Sequence, residues 1–385
     1  MWIGLVCFLI ASDNDAVRSQ ALKLAQETII LDGHIDVPYR LFEKMEDISI
    51  RTASGDFDYV RAREGGLNAP FMSIYVPASM EDNGAKAHAD LLIDMVEGFA
   101  KQWPEKFAIA KSPADVERQF EQGLISLPMG MENGAPIEGD LANLRHFYDR
   151  GIRYITLTHS KANHICDSSY DEERIWHGLS PFGKELVVAM NQLGVMIDVA
   201  HISDETFEQV MELSKVPVIA SHSSCRHFTP GMERNMSDDM IKKLAAKGGV
   251  IQINFGSYFI KEESRRAGDT MRKEIMKIRE EHPEDEAKAL IDAYRAEHAF
   301  PRANIQDVMA HIEHVIGLVG EDHVGLGSDF DGVGDTLPDG LRDVSQFPNL
   351  IYEMLKNGYS VERIQKICSG NVLRVWRQVE AYSQK

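Results

Sequence analysis

The stretch from Gly194 to Ser223 constrains the fold more than any other part of this chain. It reads GVMIDVAH, then a helical interval (ISDETFEQVMELSK), then VPVIASHS. Two short runs of Val, Ile, Met and Ala joined by a helix-length segment have the form of buried parallel strands. Parallel pairing needs such a long crossover, and helices cover both faces of the sheet. Each run ends in a histidine, His201 and His222. Helical crossovers leave equivalent strand ends on one side of the sheet, so the two imidazoles can meet there. Imidazole is the commonest metal ligand among side chains. The plainer alternative is a pair of core histidines bonded to backbone.

The same alternation runs through the rest of the chain. Apolar runs at TIILDGHID, APFMSIYV, ISLPMGMEN (125–133), IRYITLTH, GVMIDVAH, VPVIASHS, GGVIQINF and HVGLGSDF are mostly separated by helical stretches, among them 85–102, 141–150 and 237–247. Eight strands alternating with helices predict an α/β fold, a (β/α)8 TIM-type barrel. A doubly wound sheet would normally carry a Gly-rich phosphate loop after an early strand, and none is present. Residues 261–304 are intensely charged and fall between the seventh and eighth candidate strands. They predict one or two exposed helices inserted in a loop of the barrel's catalytic face, with 18–385 forming a single domain.

With 60 acidic and 41 basic residues, a net charge of −19 and no Lys/Arg-rich run, the chain is not expected to bind nucleic acid. Cys7, Cys166, Cys225 and Cys368 show no CxxC spacing, which excludes a structural zinc knot and leaves a disulfide open. Residues 2–11 (WIGLVCFLIA) have the length of a signal-peptide apolar region; a membrane span needs about 20 residues. Residues 1–17 are therefore read as a leader-like or disordered start. The expected location is extracytoplasmic, periplasmic or secreted, with no membrane span in the mature chain and the cytoplasm as the alternative.

Three further strand ends carry chemistry. His34 and Asp36 lie two apart at the end of the first strand, so both side chains emerge on one face and can share an ion. Glu132 closes the third strand; a carboxylate there can bridge two cations, or simply cap a helix. Asp329 ends the eighth strand in GLGSDFDG, where paired acids can hold a metal or handle a proton. For Asp331, two residues on, a turn-forming role is expected. His34, His201, His222, Asp36, Glu132 and Asp329 give a mixed N/O set that suits zinc, with manganese or cobalt as alternatives. Six donors exceed the needs of one catalytic ion. Two ions bridged by Glu132 and a water fit better, and such a pair ionises a nucleophilic water.

The sequence resembles the membrane (renal-type) dipeptidase family, metallopeptidases of the amidohydrolase-like barrel superfamily. The stretches that carry the resemblance are LDGHIDVP, GMENG, IRYITLTH, IDVAHIS, VIASHSS, MERNMSDD, GGVIQINF, HVGLGSDFDGV and CSGNVLRVW, spread over about residues 28–376. The resemblance implies a dipeptidase with two zinc ions per chain, one held by His34, Asp36 and Glu132, the other by Glu132, His201 and His222. It implies that Asp329 accepts and donates the proton, that His159 contacts the substrate, and that Arg234 binds the substrate's free carboxylate. It also implies tolerance of D-residues at the C-terminal position and action on opened-ring-like β-lactams. Catalysis would then rest on Asp329, Glu132 and His159. Tyr258 and Phe259 receive no role, and a homodimer is left open. A related barrel hydrolase acting on a lactone or cyclic amide, or a non-enzymatic metal-binding scaffold, are the rival readings.

Overall fold

The computed structural model describes residues 3–384, with side chains from Asn14 onward. The side chains of the apolar run 2–11, Cys7 among them, lie outside the described residues. Eight strands form a closed parallel barrel in chain order: β1 (Ile30–Ile35), β2 (Leu67–Tyr75), β3 (Met129–Glu132), β4 (Ile152–Thr156), β5 (Met196–Asp198), β6 (Ile219–Ser223), β7 (Val250–Ile253) and β8 (Val324–Leu326). Helices follow the strands on the outside. Several start at a serine whose hydroxyl accepts from a backbone N–H three residues on, as at Ser180, Ser203 and Ser237. The (β/α)8 expectation holds.

One expected strand is divided. The run 125–133 breaks at Pro128, which has no N–H to give to a ladder. Ile125–Leu127 pairs with Phe107–Ile109 in a small separate sheet, and only Met129–Glu132 enters the barrel. The carbonyl of Pro128 accepts from Met72 N at 2.8 Å, which keeps the break in register with β2.

Alternate residues of each strand face inward. Leu31, Phe71, Tyr154, Met196, Ile219 and Val250 form an inner cluster with Val372, Trp376 and Val379 of the last helix, Asn371–Ser383. Phe71 packs between Tyr154 and Trp376, with ring centroids 5.1 and 5.3 Å away. The C-terminal helix thus plugs the end of the barrel where the strands begin. The opposite end, where they finish, is left to polar side chains.

Between β7 and β8 the charged segment forms two helices, Glu262–Glu281 and Glu284–Glu297. Their buried residues are few, Ser264 on the first and Ala287 and Ile291 on the second. Cys166, Cys225 and Cys368 are free and buried. No helix among the described residues is long and apolar enough to cross a membrane.

Candidate metal centre

The parallel register aligns the strand ends in a row. Tyr75, Glu132, Thr156 and Asp198 are successive partners across β2, β3, β4 and β5. His34 and His222 sit within β1 and β6, whereas His159, His201 and Asp329 each lie three residues past the end of β4, β5 and β8. His201 and Asp329 take left-handed backbone conformations, φ 68° and 65°. Such values are uncommon in residues with a Cβ and are found where a site over-determines the chain. Asp36 also differs from the simple expectation. It is not a pleat partner of His34; it stands at the N-cap position of the helix Val37–Glu43, with no capping hydrogen bond from its side chain, and Pro38 starts that helix directly after the strand. The side chains meet all the same, with His34 Nε2 3.5 Å from Asp36 Oδ2.

Glu132 is the hub. Its Oε2 is 3.3 Å from His34 Nε2 and accepts from Ser73 Oγ at 3.2 Å. Its Oε1 lies 3.2 Å from His201 Nε2, 3.3 Å from His222 Nε2 and 3.5 Å from His159 Nε2. One buried carboxylate therefore faces four imidazoles. Donor atoms within 4.8 Å of one another group as His34–Asp36–Glu132, Glu132–His159–His201 and His34–His222–Asp329. All the metal-ligating residues expected from sequence come together at this rim.

Hydrogen bonds behind the rings fix which nitrogen carries the proton. The Tyr154 hydroxyl donates its only hydrogen to Gly33 O (3.1 Å), so it accepts from His34 Nδ1 (2.8 Å). Ser221 Oγ donates to Asp198 Oδ2 (2.6 Å) and accepts from His222 Nδ1 (2.7 Å). Both rings are left with an Nε2 lone pair aimed at the centre, the arrangement a metal ligand needs. His201 Nε2 accepts from Arg234 at 3.0 Å and stands 2.8 Å from His222 Nε2. Two acceptor nitrogens this close, beside a carboxylate oxygen, have no proton to share. A cation is the group that resolves them, and the mixed N/O donors fit zinc.

Electrostatics agree. Burial lowers the pKa of His201 and of His222 well below the usual value, with Arg234 and, for His222, His34 adding to it. For His34 burial acts downward, but Tyr154, Glu132 and Asp36 outweigh it and the net shift is strongly upward. The carboxylates thus favour positive charge at its Nε2. Burial opposes ionisation of Glu132, yet the imidazoles hold it well below the carboxylate range. Asp329 is pushed up to about 7, first by burial and then by Asp36, while Asn254 Nδ2 donates to its Oδ2 at 2.8 Å. Gly332 lets the two acids converge: a Cβ there would meet Asp36 Oδ2 at 2.1 Å and Asp329 Oδ1 at 2.5 Å.

A cavity of about 1350 Å³ opens onto this centre, lined among others by Tyr75, His159, Tyr170, His201, Phe259 and Asp329. His159 packs against His201 with the rings tilted by 35° and their centroids 4.2 Å apart, and burial lowers its pKa. Arg234 is 4% exposed and flanks the cavity without lining it. Its guanidinium donates to Ser223 Oγ (2.9 Å) and His222 O (2.7 Å), and lies 5.4 Å over the Phe259 ring. The inserted helix Glu262–Glu281 adds Arg272 and Met276 to the lining. Tyr154, Ser221, Asp198 and Asn254 escaped the sequence reading. Only their place behind a ligand marks them, although Asp198 and Ser221 do sit in the same two runs as His201 and His222. Asp331 adopts φ 67° in its turn, as expected, but its carboxylate also pairs with Arg40 Nε at 3.3 Å.

A parallel eight-stranded barrel with imidazoles and carboxylates gathered where the strands finish defines a metal-dependent hydrolase of the barrel type. The profile of "Membrane dipeptidase (Peptidase family M19)" matches residues 18–385. An uncharacterized dipeptidase of Schizosaccharomyces pombe is 32% identical over 368 residues, covering 91% of this chain and 81% of the yeast protein. The crystal structure of the probable dipeptidase PvdM from Pseudomonas aeruginosa superposes with a TM-score of 0.84 at 28% identity, covering 96% of this chain and 99% of that one. A metallo peptidase from Rhodobacter sphaeroides, liganded with a phosphinate mimic of the dipeptide L-Ala-D-Ala, gives 0.76 at 26%, covering 91% and 99%. The chain belongs to the membrane dipeptidase family, peptidase family M19, and is a peptide hydrolase of the metallopeptidase kind.

Proposed function

We propose that this chain is a zinc-dependent dipeptidase with a binuclear centre, acting on dipeptides that carry a free C-terminal carboxylate. The observation that carries the reading is the pair of acceptor nitrogens, His201 and His222 Nε2, 2.8 Å apart beside a carboxylate that also reaches His34. His34, Asp36 and Glu132 would hold one ion, and Glu132, His201 and His222 the other. When bound, the two ions would acidify a shared water and polarise the scissile carbonyl.

The chain's own residues supply the rest. Asp329, with a pKa near neutrality, takes the proton released by the attacking water and returns it to the leaving amine. His159, neutral at working pH, faces the centre beside Glu132 and steadies the developing oxyanion through a ring N–H. Arg234 receives the terminal carboxylate with two parallel donors. Occupation of the His201 Nε2 lone pair by an ion would release the guanidinium edge now bonded there. The ligand of the Rhodobacter sphaeroides metallo peptidase supports tolerance of a D-residue at the C-terminal position.

The test is a panel of L,L-, L,D- and glycyl dipeptides, with metal content measured on the same sample. Chelation should abolish hydrolysis and zinc should restore it at two ions per chain. Full activity with well under two ions would remove the paired centre. Equal turnover of free and C-terminally amidated dipeptides would remove the role of Arg234.

A further inference from the structure

We infer that the inserted helix adapts the cavity to dipeptides whose C-terminal residue is itself acidic, with Arg234 taking the α-carboxylate and Arg272 the side-chain carboxylate. This rests on the dipeptidase reading above. Three cations line the cavity: Arg40, Lys161 and Arg272. Arg40 pairs with Asp331 at 3.3 Å and Lys161 with Asp171 at 2.6 Å. Among the described residues Arg272 has no carboxylate partner; its contact is the Tyr258 ring, 5.4 Å from the guanidinium carbon. Asp269, one turn before it, and Glu262 at the start of the same helix are engaged elsewhere. Glu262 takes Arg265 and Arg266, each at 2.7 Å, while Asp269 takes Arg265 at 2.9 Å and the Tyr258 hydroxyl.

Its position relative to Arg234 gives this unpaired charge a meaning. Arg234 stands over Phe259 and Arg272 over Tyr258, and these two rings meet edge to face with centroids 5.4 Å apart. Tyr170 lines the same cavity, its ring 5.9 Å from that of His201. Burial raises the Tyr170 phenol, and Arg234 and Arg272 both pull it down, so both lie within electrostatic reach of it. A deep and an outer guanidinium therefore flank one wall of the cavity. Asp and Glu at a C-terminus carry two carboxylates on one short residue, and each guanidinium offers a planar fork to one of them. Glu43, Glu172 and Glu173 line the same cavity. Their charge opposes general attraction of anions, so any acidic preference must come from a specific pairing.

The test compares Ala-Asp with Ala-Asn and Ala-Glu with Ala-Gln on the zinc-loaded full chain. The expected kcat/KM favours the acid by roughly five- to tenfold. Arg272→Ala should erase that ratio by raising KM for the acids while leaving the amides unchanged. Arg272→Glu should invert it in favour of Ala-Lys. An unchanged ratio in Arg272→Ala, or a wild type that prefers the amides, would overturn the inference. Calorimetry of phosphinate mimics of Ala-Asp and Ala-Asn on the zinc-loaded full chain separates the two readings, since it needs no turnover. Were no dipeptide hydrolysed, the hydrolytic reading would fail, while an acid-to-amide affinity ratio that depends on Arg272 would still decide this one.

Discussion

Two pairs of imidazoles meet at the rim, and they are built differently. His34 and His222 sit inside strands, and each has a hydroxyl behind it that fixes its tautomer. His159 and His201 lie beyond the strands, with Nδ1 buried and unpartnered on both. His201 is aimed by its left-handed backbone, and His159 by packing against its ring. The first pair is therefore set by the barrel before anything binds. The second is set by what binds, because only a ligand or substrate can satisfy it. Two of the four rings are thus held fixed by the barrel, and two retain freedom to adjust.

The contrast is broken most severely at Glu132, which touches both pairs. With the paired centre proposed above, Glu132→Gln should lose both ions and lower turnover by at least about a thousandfold, since several kcal/mol of Lewis-acid stabilisation would go with them. Turnover and metal content read on one sample check this. Retention of two ions would show that the pairs are independent.

Next comes Asp329, whose raised pKa has a definite sign. A carboxyl with a folded pKa of about 7 favours the fold while protonated, and that advantage is lost as pH rises from its unfolded value through 7. Metal-stripped Asp329→Asn should therefore gain stability relative to stripped wild type between pH 4 and 7, by roughly 3–4 kcal/mol at most. Denaturant melts of both proteins across that window measure it, and a constant difference would show that the acid is not perturbed.

The relays give smaller effects. Tyr154→Phe and Ser221→Ala should each weaken zinc binding about 10- to 100-fold, with turnover recovered at saturating zinc. Competition with a chromophoric chelator reads the affinity. The smallest change is expected on the other side of the comparison. Tyr75 touches His159 edge-on, centroids 4.9 Å apart, without a hydrogen bond to its ring. Tyr75→Phe should leave zinc affinity within about twofold, for want of a relay to remove. A loss matching that of Tyr154→Phe would erase the distinction between the pairs.

Much of this was legible in the sequence for a simple reason. Runs such as GVMIDVAH and VPVIASHS combine a period that specifies buried strands with a ligand at the end, so fold and site are written in the same residues. His34, Glu132, His201, His222 and Asp329 could be found because strand ends converge in a parallel barrel. The break at Pro128 was missed because the apolar run continues across it, and the missing N–H matters only once a ladder is drawn. Asp36 reaches the rim by a different local route, its place at the start of a helix being hidden behind a two-residue spacing. Tyr154 was invisible because its role depends on crossing the barrel to a strand 120 residues away. Gly130 permits that crossing, for a Cβ there would fall 2.0 Å from the phenol ring. The charged insertion was placed correctly, but nothing in its composition told that Arg272 faces the cavity.

The plug at the strands' starting end has a consequence for synthesis. Trp376 and its neighbours are synthesised long after His34. The inner layer cannot be filled until Trp376 has emerged, nor the barrel closed until β8 can pair with β1. Assembly is thus dominated by contacts distant in sequence, which makes it slow and leaves apolar strand faces uncovered meanwhile. A nascent chain arrested before the final helix should bind folding helpers and hold no zinc, even with every ligand already made.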